Sequence, residues 1–121
     1  DDERLCDTLR ALDGLPTLAS FCPLVGAVHT PVRFLEAGAT ALGVNCGDDL
    51  NALIDAAIEL IPLGVNVVMR PSAGVPNEGG VHPVTPAEFG AALGRGWSAG
   101  VHAGGGCCGV VPAHLREAAA R

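Results

Sequence analysis

Four short runs of apolar and β-branched residues, TLASF (17–21), ALGVNC (41–46), NVVMR (66–70) and GVHAGG (100–105), are each followed by a helical pattern, and this alternation constrains the fold most. Their starts lie 24, 25 and 34 residues apart, the length of one strand, one crossover helix and two loops. Strands apolar along most of their length belong to parallel sheets covered by helices, and right-handed crossovers wind successive units in one direction. The expected class is therefore α/β. A full (βα)8 TIM barrel takes about 250 residues, so this chain of 121 residues has the length for about four of eight βα units. A small flavodoxin-like open sheet is the structural alternative. The chain starts at Asp1 directly in a helical pattern of Leu5, Leu9 and Leu12, and is expected to be cut from a longer protein.

Helix boundaries carry their own chemistry. TPAE offers Thr85 as N-cap, Pro86 at the first helical position and Glu88 three residues after the cap, which predicts a capping box. Thr30 before Pro31, Asp48 or Asp49 before Leu50, and Pro112 are the other expected helix starts. Gly38, Gly64 and Gly100 are placed to end helices.

Charge and hydropathy exclude several partners. With a net charge of −6 and no Lys/Arg cluster, the chain lacks the basic surface that nucleic acid or an anionic membrane requires. No apolar run approaches the roughly 20 residues of a membrane span, and the start DDERLCDTLR is charged where a signal peptide would be basic and then apolar. A cytoplasmic location is the default expectation.

The five cysteines, Cys6, Cys22, Cys46, Cys107 and Cys108, are odd in number and irregularly spaced, unlike a secreted disulfide framework. Adjacent Cα atoms stand about 3.8 Å apart, short of the roughly 4.4–6.8 Å that disulfides span, so a Cys107–Cys108 bridge would be strained. Reduced thiols are expected. Cys46 closes the second strand and Cys107 with Cys108 follows the fourth, all at the carboxyl ends of parallel strands, where α/β folds assemble their sites. Neighbouring residues on a straight strand point to opposite faces. Convergence of both thiols therefore needs a bend, which Gly104, Gly105, Gly106 and Gly109 are expected to supply through unusual φ values. Three thiolates suit zinc and leave its fourth position open, as catalytic sites do.

These residues also carry a resemblance. GVNC (43–46), RPSAGVP (70–76), TPAEF (85–89), GWSAG (96–100) and GGCCGVVPAHL (105–115) resemble, in order, the successive motifs of the homocysteine S-methyltransferase family. The similarity runs from about Thr17 to the C-terminus, and GGCCG with an upstream GVNC is its most specific part. It implies that residues 1–121 are the C-terminal half of a homocysteine-binding (βα)8 barrel, with Zn2+ held by Cys46, Cys107 and Cys108. It further implies that homocysteine enters the open zinc position as a thiolate and takes a methyl group from a sulfonium, ammonium or folate donor, giving methionine. No protein side chain becomes methylated in this scheme. The partners so implied are homocysteine, a small methyl donor and the missing N-terminal half of the barrel, which in the family helps hold the amino and carboxylate groups of homocysteine. Asn45, beside Cys46, is expected to donate to substrate or to orient the Cys46 loop.

The sequence departs from the family pattern at three places. PSAG stands where PNAG is common, so Ser72 replaces an Asn able to serve as a resting fourth ligand, and water would substitute. GVVP stands where a Thr caps the last helix, so Val111 forfeits about 1 kcal/mol. Little more than CPLVGAVH (22–29) separates the first strand from Thr30. Cys22 and Cys6 are expected to be bystanders, and His29, His82, His102 and His114 form no HxxxH-type pair. Trp97, at helical spacing from Phe89 and Leu93, is expected to pack, and PSAGVPNEGG to form a surface loop or a lid. Two rival functions remain: a phosphate-binding barrel segment, for which AGGGCCGVVP has the shape of a glycine-rich cradle, and a truncated, non-catalytic zinc-binding remnant.

Overall fold

A computed structural model describes residues 2–23 and 30–121. The chain order is α1 (Asp2–Ala11), β1 (Leu18–Phe21), α2 (Pro31–Glu36), β2 (Ala41–Cys46), α3 (Leu50–Leu60) with a 3-10 turn at Ile61–Leu63, β3 (Asn66–Pro71), α4 (Pro86–Ala99), β4 (Ala103–Gly104) and α5 (Pro112–Ala119). Helices packed on a four-stranded parallel sheet make this an α/β fold.

Strand order in space follows strand order in sequence, β1-β2-β3-β4. A flavodoxin-like sheet would reverse direction at a switch point; the described strands do not. Residues pair Ser20 with Gly43, Gly43 with Val68, and Val68 with Ala103, so the strands advance in step. β1 and β4 are the outer strands.

The pleat sorts the side chains. Ala19, Leu42, Val44, Val67 and Met69 are buried, and full burial of a Val, Leu or Met side chain stabilises by about 1.5–3 kcal/mol each. Positions between them are more open: Leu18 is 45% exposed, Asn66 and Arg70 are exposed, and Ser20, Asn45 and Val68 are half-buried. One sheet face is thus sealed by Phe34, Leu53, Ile54, Phe89 and Leu93 from the helices, and the other lies open among the described residues.

Local signals act largely as expected. Thr85 Oγ1 accepts from Glu88 N while Glu88 Oε2 accepts from Thr85 N at 2.8 Å, a complete capping box. Asp49, rather than Asp48, caps α3 by accepting from Ala52 N at 2.9 Å. Gly64 and Gly100 are left-handed helix ends. Thr30 precedes α2 without a side-chain capping bond. β4 is shorter than expected, two residues; just before it His102 still meets β3, its N donating to Val67 O at 3.0 Å while Val67 N donates to His102 Nδ1 at 3.1 Å. Ahead of the first strand, α1 is tied to α2 by Arg33–Glu3 at 2.9 Å and by the buried Cys6.

The last helix bears out the expected loss at its N-cap, since Val111 makes no side-chain capping bond, but the reciprocal half of a capping box is present. Val111 N donates to His114 Nδ1 at 3.1 Å, and His114 Nε2 lies 2.9 Å from Val84 O. With Nδ1 accepting, Nε2 is the donor to Val84 O, so one imidazole takes up the N–H of Val111 ahead of α5 and ties that helix start to the loop before α4. The ring is buried edge-on to Phe89, centroids 5.3 Å apart.

Candidate metal centre

Cys46 ends β2 with φ +62°, and is the one non-glycine residue at positive φ among the described residues. A side chain in this region costs about 1–3 kcal/mol and persists only where its surroundings enforce it. The enforcing contacts are visible. Cys46 O accepts from Ser72 N at 3.2 Å, Asn45 Nδ2 lies 3.3 Å from Cys46 Sγ, and Gly47 continues the turn at φ +75°.

The other two thiols are hung from the same short segment. Beyond the β3–β4 ladder, Cys107 N donates to Pro71 O at 2.9 Å and Ala73 N donates to Cys108 O at 2.8 Å. Ser72 N and Ala73 N, consecutive amides of a buried stretch, therefore hold the Cys46 turn on one side and the Cys107–Cys108 loop on the other.

The expected glycine bend is corrected in detail. Of Gly104, Gly105, Gly106 and Gly109, only Gly109 adopts positive φ, at +74°. A Cβ on Gly109 would also run into the His82 ring, which is held by its Nδ1 at 2.6 Å from Gly74 O. At the Cys46 side of the cluster, positive φ falls on Cys46 and Gly47. Ordinary backbone suffices before Cys107 because its direction is fixed by the bond to Pro71.

The three sulfurs all lie within 4.8 Å of one another, and this is the group found among the described residues that could hold a metal ion. Cys46 Sγ and Cys107 Sγ are 2.7 Å apart, and Cys107 Sγ and Cys108 Sγ 3.9 Å. A disulfide would need about 2.05 Å, and all five cysteines are free of disulfides. Zinc–sulfur bonds of about 2.3 Å set tetrahedral sulfurs about 3.8 Å apart. The vicinal pair meets that spacing, and Cys46 and Cys107 need to part by about an ångström, within reach of side-chain rotation. The soft, convergent donor set fits zinc. Cys46 and Cys107 are half-buried and Cys108 is exposed, so the cluster is approachable.

Other candidates are placed elsewhere. Cys22 follows β1, and neither it nor Cys6 belongs to the sulfur group. His102 and His114 are engaged with backbone, and His82 packs beside the cysteine loop without joining the group. His29 and most of the CPLVGAVH connection lie outside the described residues. Trp97 is half-buried against the core. In the loop after β3, Asn77 Oδ1 accepts from both Gly79 N and Val81 N at 3.0 Å, giving an exposed, internally braced turn. In the glycine-rich segment read as a possible phosphate cradle, the amides of Gly105, Cys107, Val110 and Val111 are already bonded within the protein. A crevice of about 790 Å³ lies between α3 and α4, lined by Asp49, Gly74, Val84, Glu88 and Arg95, and contains none of the three cysteines.

Two features escaped the sequence reading. The Pro71–Ala73 amide clamp is main-chain and leaves no residue-type signal. Ser20 donates to Asn45 Oδ1 at 2.6 Å; its signal was a polar residue on the open face of β1, two positions from Leu18.

Two comparisons with known proteins bear on this cluster. The family model described as homocysteine S-methyltransferase matches residues 17–121. A methionine synthase of Mycobacterium tuberculosis (strain ATCC 25618 / H37Rv) is 36% identical over 106 residues, a match covering 79% of this chain and 8% of that protein. The chain thus spans a small part of that relative's length.

Proposed function

The chain belongs to the homocysteine S-methyltransferase family, and from that premise we propose that it forms the zinc-holding half of an enzyme that methylates the thiol of homocysteine to give methionine. The observation that carries this reading is the convergence of Cys46, Cys107 and Cys108 from two strand ends onto one open point. Those three residues would hold Zn2+. Bound zinc would supply a Lewis acid that lowers the pKa of the homocysteine thiol, so that its sulfur becomes the nucleophile toward a methyl carbon.

The chain's own residues prepare this site before substrate arrives. The Pro71–Ala73 amides set the separation of the cysteine segments, and strain at Cys46 turns its sulfur toward Cys107. Asn45 Nδ2 carries two hydrogens and gives one to Cys46; the other is proposed to donate to homocysteine. The open sheet face and the unreversed strand order are consistent with residues 1–121 being four consecutive βα units, the C-terminal half of a (βα)8 barrel whose other half completes the substrate pocket. Among the described residues no helix is long and apolar enough to cross a membrane. A reducing cytoplasm is the proposed setting, where the thiols stay available.

Methionine formation by the full-length protein tests the proposal. With homocysteine and S-methylmethionine, betaine, S-adenosylmethionine or methylated folate offered in turn, methionine should appear with one donor, stop on chelation and resume when zinc is restored. No methionine with any donor would overturn it.

A further inference from the structure

We propose that Ser20 and Asn45 are positioning residues for Cys46, forming a hydrogen-bonded chain that fixes its sulfur and draws charge from it. The inference rests on the metal-holding role of Cys46 proposed above. Ser20 Oγ lies 2.6 Å from Asn45 Oδ1, and Asn45 Nδ2 lies 3.3 Å from Cys46 Sγ.

Chemistry fixes the direction of the chain. A thiolate only accepts, so the amide must turn its nitrogen toward Cys46. Its oxygen then faces Ser20, whose hydroxyl, able to donate or accept, must donate. The sheet makes the reach possible. Ser20 pairs with Gly43, and Asn45 is two residues further along the same face of β2, the diagonal neighbour across the strand pair. Gly43 keeps that diagonal open, since a Cβ there would stand 3.0 Å from Ser20 Oγ and 3.3 Å from Ser20 Cβ. Three residues on two strands thus support one sulfur. Groups that orient a metal-holding side chain typically change metal affinity by about 10–100-fold when removed.

The test uses the full-length protein, with zinc affinity measured by competition with a chromophoric chelator and the sulfur-to-metal charge-transfer band recorded after loading with Co2+. A sulfur that has lost its N–H donor is more electron-rich. Asn45→Leu should therefore weaken zinc by about 10-fold or more and move the band to lower energy. Ser20→Ala and Gly43→Ala should shift both readouts in the same direction by less, and Ser20→Thr, which keeps the hydroxyl, should restore them. An affinity within twofold of the parent and an unmoved band in both Ser20→Ala and Gly43→Ala would overturn the proposal. Cys46→Ser separates the two levels. If it loses zinc while the Ser20 and Gly43 variants behave as parent, only the relay fails; if it keeps full zinc, the metal reading fails with it.

Discussion

The sulfurs of Cys46 and Cys107, 61 positions apart in the chain, lie 2.7 Å from one another. Nothing local to either residue brings them together. β3 stands between the strands that carry them, and the residues that follow it bond to both cysteine segments. The sulfur cluster is thus a product of the sheet, and on the proposed function each of its three sulfurs should be needed to hold zinc. Metal analysis of the full-length protein should find one zinc per chain in the parent, most of it lost in Cys46→Ser, Cys107→Ser and Cys108→Ser, and all of it kept in Cys22→Ser. Zinc loss from the Cys22 variant would mean that a different third thiol is used.

Gly109 meets two demands, a positive φ and the face of His82. Gly109→Ala should cost about 2 kcal/mol, from left-handed strain on an L-residue and displacement of the ring. Removing that ring as well, in Gly109→Ala/His82→Ala, should recover the steric part and leave the strain. Chemical denaturation of the four proteins of the cycle checks this; full additivity of the two single changes would show that the ring and the glycine do not interact.

Much of this architecture was legible in the sequence, for definite reasons. β2 matched its apolar run because ALGVNC is enclosed on both sides by other strands, whereas β4 shrank to Ala103–Gly104 at the sheet edge, where one strand alone pairs with it. Thr85 and Glu88 were readable as a capping box because both partners lie within one helical turn. The thiol triad was readable because strand ends share one side of a parallel sheet. The source of its bend was not: positive φ at Cys46 is imposed by Ser72 and Asn45, contacts that exist only after folding. Nor did Val111 announce that the His114 side chain would take up its backbone N–H.

His114 combines a bond from Val111 N at the start of α5, a bond to Val84 O and an edge contact with Phe89. Replacing it with Ala leaves these backbone groups without the imidazole, and should destabilise the protein by about 1–3 kcal/mol. His114→Gln, which keeps donors and acceptors on a chain of similar reach, should lose less. Urea unfolding measures both; equal losses would assign the effect to packing alone.

Glu88 is held below the usual carboxylate range by bonds from the Thr85 backbone N–H and hydroxyl. A depressed folded pKa means stability that is present above the unfolded value and lost as pH falls through the folded one. The stability difference between the parent and Glu88→Gln should accordingly be constant near neutrality and shrink as pH falls into and below the ordinary carboxylate range. A difference that stays constant to the acid end would show that the capping box does not depend on the ionised carboxylate.

X-ray absorption at the zinc edge of the full-length, zinc-loaded protein tests the central claim most directly, because it counts sulfur neighbours. Three cysteine sulfurs are expected without substrate, and four at saturating homocysteine, the added one coming from the substrate thiol. A three-sulfur site unchanged by homocysteine would contradict thiol activation at this centre, even with Cys46, Cys107 and Cys108 in place as ligands.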